Sequence, residues 1–169
     1  MEVFAGFTEH GDAQVGRVVD EVDRRGYGDD TLIFYIWGDN GAAAEGQTGS
    51  ISELLAQNAI PTTTDQHIKA LNALGGLDVL GSAKTDNMYH AGWAWAGSTP
   101  YKSTKLVAAH FGGTRNPMAV RWPKKIKPDA TPRSQFHHVN DVVPTIYELV
   151  GITAPKVVNG FPQDPIQGG

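Results

Sequence analysis

The run Thr31–Trp37, TLIFYIW, is apolar on both of its alternating sets of positions and rich in β-branched and aromatic residues. It predicts a strand covered on both faces, as in a parallel sheet flanked by helices. Ahead of it, from about Glu9 to Arg25, Val15, Val18, Val19 and Val22 recur at helical spacing with Asp and Arg on the other face, and Gly26 is a natural stop. Helix followed by buried strand is half of an α/β unit, and in open α/β sheets ligands collect beyond the carboxyl ends of the strands. Asp39 and Asn40 stand at that end, inside GDNGAAAEG. Two readings of the pair are open: ordinary turn chemistry, or a hard-cation site in which Asp39 gives a carboxylate oxygen and Asn40 an amide oxygen.

Further on, Ile51–Asn58 reads as a short helix and Asp65–Leu74 as another, ended by Gly75-Gly76. Residues 76–103 show no period and read as a long loop carrying Tyr89, Trp93, Trp95 and Tyr101; a connection of that length in a compact domain is commonly functional. Met118–Trp122 predicts a short buried strand stopped by Pro123. Asp141 is placed to cap a helix with Pro144 in its first turn and Gly151 at its end. The Pro- and Gly-rich residues 154–169 read as a coil-like tail. At 169 residues one domain is expected.

A net charge of -4 argues against nucleic acid as the main partner, and the basic knot Lys124-Lys125-Ile126-Lys127, set between two prolines, reads as a solvated loop. No run reaches the length of a membrane span, so no membrane partner is expected, and the N-terminus lacks the pattern of a signal peptide. The compartment stays open. The absence of cysteine excludes disulfides, thiolate metal sites and cysteine nucleophiles together.

A second cluster lies between Tyr101 and Pro123, where Lys105, His110 and Arg115 surround Gly112-Gly113. Three cationic groups around a pair that exposes backbone amides would suit an anion. Hard-metal ligands beside such a set imply phosphoryl or sulfuryl group chemistry, the metal acting as Lewis acid and the lysine holding a non-bridging oxygen. The adjacent His137-His138 would not share a metal, since neighbours point apart on a strand or a helix; capping or core roles are expected.

In this order, GDNGAAAEG, STKLVAAHFGGTRNPMAVRWP and SQFHHVNDVVPTIYELVGI resemble the C-terminal part of the catalytic domain of type I sulfatases, the arylsulfatases of the alkaline-phosphatase-like fold. The resemblance covers nearly the whole chain. It implies an α/β fold, a partial alkaline-phosphatase-like sheet flanked by helices, with residues 1–169 as a single partial catalytic domain. Asp39 and Asn40 match the late Asp-Asn pair that completes a Ca2+ or Mg2+ site. Lys105 matches the catalytic lysine that contacts a sulfate oxygen and the leaving-group side. His110 stands near where many members carry an acidic residue, and with Arg115 it is assigned to the substrate pocket. The implied substrate is a sulfate-ester small molecule.

The chain departs from the family in one large respect. Family members place a Cys- or Ser-x-Pro-x-Arg motif, whose first residue becomes formylglycine, well before the Asp-Asn pair. Here the nearest match, Ser98-Thr99-Pro100-Tyr101-Lys102, follows that pair and ends in Lys. The first metal carboxylates and the leaving-group histidine of the family are also missing. Met1 thus reads as an internal methionine of a longer protein, with an incomplete site, no turnover alone, and either self-association or a complementing N-terminal chain. The alternatives are a phosphatase or phosphonate hydrolase of the same superfamily, against which Asn40 rather than a zinc-binding His follows Asp39, and a non-catalytic binding or complementing subunit.

Overall fold

A computed structural model describes residues 1–38 and 40–168. Asp39, singled out as a metal ligand, lies outside the described residues. Contacts divide the chain into Met1–Pro128 and Asp129–Gly169.

The first unit opens with helix α1, Glu2–Arg24. It begins a full turn and more before the expected start at Glu9, running through Gly6 and Gly11, whose low helix propensity masked it in the sequence. It ends as expected, with Gly26 at φ +78°. Side-chain contacts tie α1 to the rest of the unit. Tyr35 donates its hydroxyl to Asp12 Oδ1 at 3.2 Å, Arg121 Nη2 reaches both oxygens of Asp23 at 2.9 and 3.0 Å, and Phe4 packs edge-on against Tyr89 at 5.4 Å.

Strand β1, Ile33–Ile36, forms inside the apolar run, and β2, Met118–Arg121, pairs with it in antiparallel register, Ile33 opposite Arg121 and Ile36 opposite Met118. The expectation of strands buried on both faces is corrected here. With only one neighbour and no covering layer among the described residues, β1 is half-buried and β2 largely exposed. The pairing nevertheless has a consequence for function. It brings Trp37 and Gly41, beyond β1, to Pro117 and Asn116, which lead into β2.

Helix α2, Glu53–Gln57, is capped by Ser52, and α3, Thr64–Leu74, by a full capping box in which Thr63 and Gln66 satisfy each other's backbone amides. The stretch 76–103, read as a long loop, instead contains a 3-10 turn at Gly76–Val79 and helix α4, Ala91–Gly97, which carries Trp93 and Trp95. Its helical spacing is too short, and too rich in Ala and Gly, to be seen as a period. An isolated bridge between Ser50 and Met88 ties this stretch back to the chain after Asn40.

In the second unit His138 caps a 3-10 turn, its Nδ1 accepting from the Asn140 amide at 3.2 Å, which is the capping role expected of it. Helix α6, Val142–Val150, follows as predicted, with Asp141 at its N-cap and Gly151 left-handed at φ +70°. The tail 154–169 is not all coil: Val157–Val158 and Phe161–Pro162 form a small hairpin, β3–β4.

Among the described residues the buried apolar side chains are Val79 and Ala94, and no large side chain is fully buried. Phe7, Val18, Leu77, Leu106 and Phe136 are all mostly exposed. Apolar surface on this scale is what a neighbouring layer ordinarily covers. Since nothing lies within 4 Å of a methyl added at Gly16 in α1, Gly16→Ala is expected to raise stability by about 0.5–1 kcal/mol in urea unfolding, through helix propensity alone.

Candidate functional site

The loop that follows β1 meets the turn that carries Lys105, across 60-odd residues of sequence. Lys105 donates its amide to the Ala42 carbonyl at 3.0 Å, and Gly41 donates its own to Asn116 Oδ1 at 3.0 Å. Gly41 is required at this crossing. Its φ is +91°, and a Cβ there would collide with the Gly112 carbonyl and come within 2.9 Å of the Lys105 amide nitrogen.

The Lys105 turn is shaped by backbone. Ser103 and Leu106, on either side of it, both hold left-handed φ angles, +71° and +74°, a conformation that costs a non-glycine residue about 1–3 kcal/mol unless the surroundings enforce it. Here the surroundings are Gly112 and Gly113, both buried. They open helix α5, Phe111–Thr114, and a Cβ on Gly112 would strike the carbonyls of Lys102 and Ser103. Their amides are spent internally, Gly112 on Lys102 O at 2.9 Å and Gly113 on His110 O at 3.0 Å. The glycine pair thus lets two backbones touch, and the expectation of exposed amides for an anion is corrected.

Lys105 Nζ sits 2.7 Å from Glu45 Oε1, with side-chain exposures of 32% and 15%. The Lys105 ammonium holds the Glu45 carboxyl below the usual carboxylate range, against the opposing effect of burial. The second carboxylate oxygen, Oε2, is buried with no hydrogen-bond partner among the described residues, at a typical cost of about 1–3 kcal/mol. Tyr89 faces it as well. Burial first, and then the Glu45 charge, push its hydroxyl above the usual tyrosine value. Neither Glu45 nor Asn116 was singled out from the sequence. The signal was present for Glu45, a lone acid in a run of Ala and Gly five residues beyond Asn40.

The remaining candidates lie around the same turn. His110 stands exposed at the N-cap of α5 and lines a shallow pocket of about 330 Å3 with Pro100, Tyr101, Lys102, Ala109 and Phe111. The Arg115 guanidinium is stacked on the Tyr101 ring at 5.1 Å and the Phe111 ring at 5.9 Å, and those rings meet edge-on. Ser98, the nearest match to a nucleophile motif, spends its hydroxyl on the Ala94 carbonyl at 3.1 Å at the end of α4. Asn40 is exposed. Among the described residues no three His, Asp or Glu side chains converge on a point. Carboxylate and amide oxygens from Asp39 and Asn40 suit a hard cation by type, but two residues fall well short of the six to eight oxygens that calcium takes.

Compared with known protein families, residues 1–152 match the sulfatase family. The chain belongs to the sulfatase family. Among curated proteins, it is 34% identical over 156 residues to an uncharacterized sulfatase of Schizosaccharomyces pombe, covering 92% of this chain and 26% of that protein. It is 26% identical over 171 residues to an arylsulfatase of Klebsiella aerogenes, covering 99% of this chain and 33% of that protein. The chain therefore spans about a quarter to a third of the length of these relatives. As in the sequence reading, the fold is mixed α/β.

Two outcomes test this geometry. Gly112→Ala is expected to destabilise by about 2–3 kcal/mol in urea unfolding, because the added methyl meets backbone that has nowhere to move. Glu45 has a folded pKa below its unfolded value, so the pair contributes stability above the ordinary glutamate pKa of about 4.3 and loses it as pH falls through the lowered value. The stability difference between wild type and Glu45→Gln should accordingly be constant near neutrality and shrink in acid. A difference that ignores pH would mean that the pair does not form in solution.

Proposed function

We propose that this sulfatase chain forms one wall of a sulfate-ester hydrolase site, with Lys105 as the group that contacts a sulfate oxygen and the leaving-group side. The observation that carries this reading is the crossing at Gly41, where the loop bearing Asn40 and the turn bearing Lys105 are bonded backbone to backbone. A cation fixed beside a metal-ligand loop is what stabilising charge on a transferring sulfuryl group needs. Asp39 and Asn40 contribute oxygens to a Ca2+ or Mg2+ site, which supplies Lewis-acid polarisation when complete. His110, on the rim of the shallow pocket, and Arg115, held on its two aromatic rings, serve the substrate side. The substrate is a small sulfate ester, as the name of the Klebsiella aerogenes relative suggests.

The chain carries no Cys- or Ser-x-Pro-x-Arg motif ahead of Asp39, and the Ser98 hydroxyl is engaged with a backbone carbonyl. By itself the chain should therefore not turn over aryl sulfates. Its exposed apolar surface would be covered by a complementing sulfatase segment or, failing that, by a second copy.

Calcium titration by calorimetry on the chain and on Asp39→Ala, with p-nitrophenyl sulfate hydrolysis followed on the same samples, tests the proposal. Calcium binding weaker than about 0.1 mM is expected, consistent with a partial ligand set, together with hydrolysis no faster than buffer. Tight binding lost in Asp39→Ala, accompanied by turnover that Lys105→Ala abolishes, would show that the chain carries a whole site and overturn the incomplete-wall reading.

A further inference from the structure

We propose that Glu45 is the positioning residue for Lys105: it holds the ammonium in one place, so that an arriving sulfate meets a cation already ordered. The inference rests on the reading that Lys105 contacts a sulfate oxygen. Its own support is geometric. The backbones at both ends of the pair are fixed independently of it. On one side Gly46 lies so close to the carbonyls of Met88 and Tyr89 that a Cβ would collide with them, Ser50 and Met88 exchange hydrogen bonds at 2.7 and 2.8 Å, and Ala91 donates to Gln47 O at 2.7 Å. On the other side Lys105 is pinned through its amide to Ala42 and set between two left-handed residues.

What the backbone leaves undetermined is the lysine side chain, four methylenes long and rich in rotamers. Glu45 Oε1, 2.7 Å from Nζ, gives it a fixed contact. An ion pair kept only for stability would not be expected to bury its second oxygen without a donor, as Glu45 does. A rigid loop that carries a mostly buried carboxylate to one point, in contact with a lysine assigned to an oxyanion, is an arrangement that orders a cation.

A carboxylate beside an anion site also repels the anion, and this opposing effect gives the test its sign. If ordering dominates, removing the carboxylate weakens sulfate binding. If repulsion dominates, removing it tightens binding. Among the described residues the titratable groups facing Glu45 are Lys105 and Tyr89.

The experiment follows the Lys105 ammonium resonance of the 15N-lysine-labelled chain during titration with sodium sulfate, with Lys105→Ala identifying the signal. Glu45→Ala is expected to raise the sulfate Kd about fivefold, since the freed side chain must be ordered on binding, and Glu45→Gln, whose neutral amide mimics the protonated acid, should raise it in the same direction by a smaller factor. On the wild type, sulfate affinity should fall as pH is lowered through the Glu45 titration. That arm decides the matter if Glu45→Ala does not fold. A Lys105 signal that does not respond to sulfate at all would overturn the reading of Lys105 and this inference with it. A signal that responds while Glu45→Ala binds equally or more tightly, or while affinity is flat or rises in acid, would overturn the role of Glu45 and leave Lys105 standing.

Discussion

The approach of Gly41 to the Gly112 carbonyl and the Lys105 amide is the contact on which the candidate site depends. It joins the end of β1 to the turn before β2. The two strands, paired antiparallel over four residues each, bring these connections into the same neighbourhood, and the missing side chains at Gly41, Gly112 and Gly113 allow them to touch. Hydrogen bonds at Ala42 and Asn116 then lock the crossing. Lys105 is thus placed by backbone packing first, and only afterwards by its own charge.

That order matters because the chain has little hydrophobic core to organise a site in the usual way. Apart from Val79 and Ala94, the apolar side chains described here are partly or largely exposed. Local rigidity comes instead from turns, caps and buried glycines, which need no extensive layer behind them. Sulfatase membership is consistent with this picture. The family match runs over residues 1–152, and the chain spans about a quarter to a third of the length of its relatives.

The sequence made some of this legible. Periodicity located α3 and α6 to within a residue or two, because their caps and terminating glycines are strong local signals. The apolar run located β1 but not its partner's direction, since apolar residues on both faces report burial and say nothing of which strand lies alongside. Helix α4 was invisible, its Ala-Gly-Trp composition lacking a polar face. At the candidate site, Lys105 and Asn40 were singled out from their neighbours in the sequence and given roles by the resemblance. Glu45 and Asn116 were missed because their roles arise from contacts across 60 and 75 residues, which no local pattern encodes. His110 and Arg115 were chosen as cations, and the structure gives them different characters: one exposed at a helix start, the other stacked on rings.

The stacking of Arg115 has a consequence for how the site responds to ionic strength. Exposed ion pairs such as Arg133 with Asp129 are screened once the Debye length shrinks to a few ångströms, at roughly 1 M salt. A guanidinium lying over Tyr101 and Phe111 is retained largely by dispersion and by the fixed quadrupoles of the rings, which dissolved ions reach poorly. Raised salt should therefore loosen the exposed pairs while leaving Arg115 seated on its two rings.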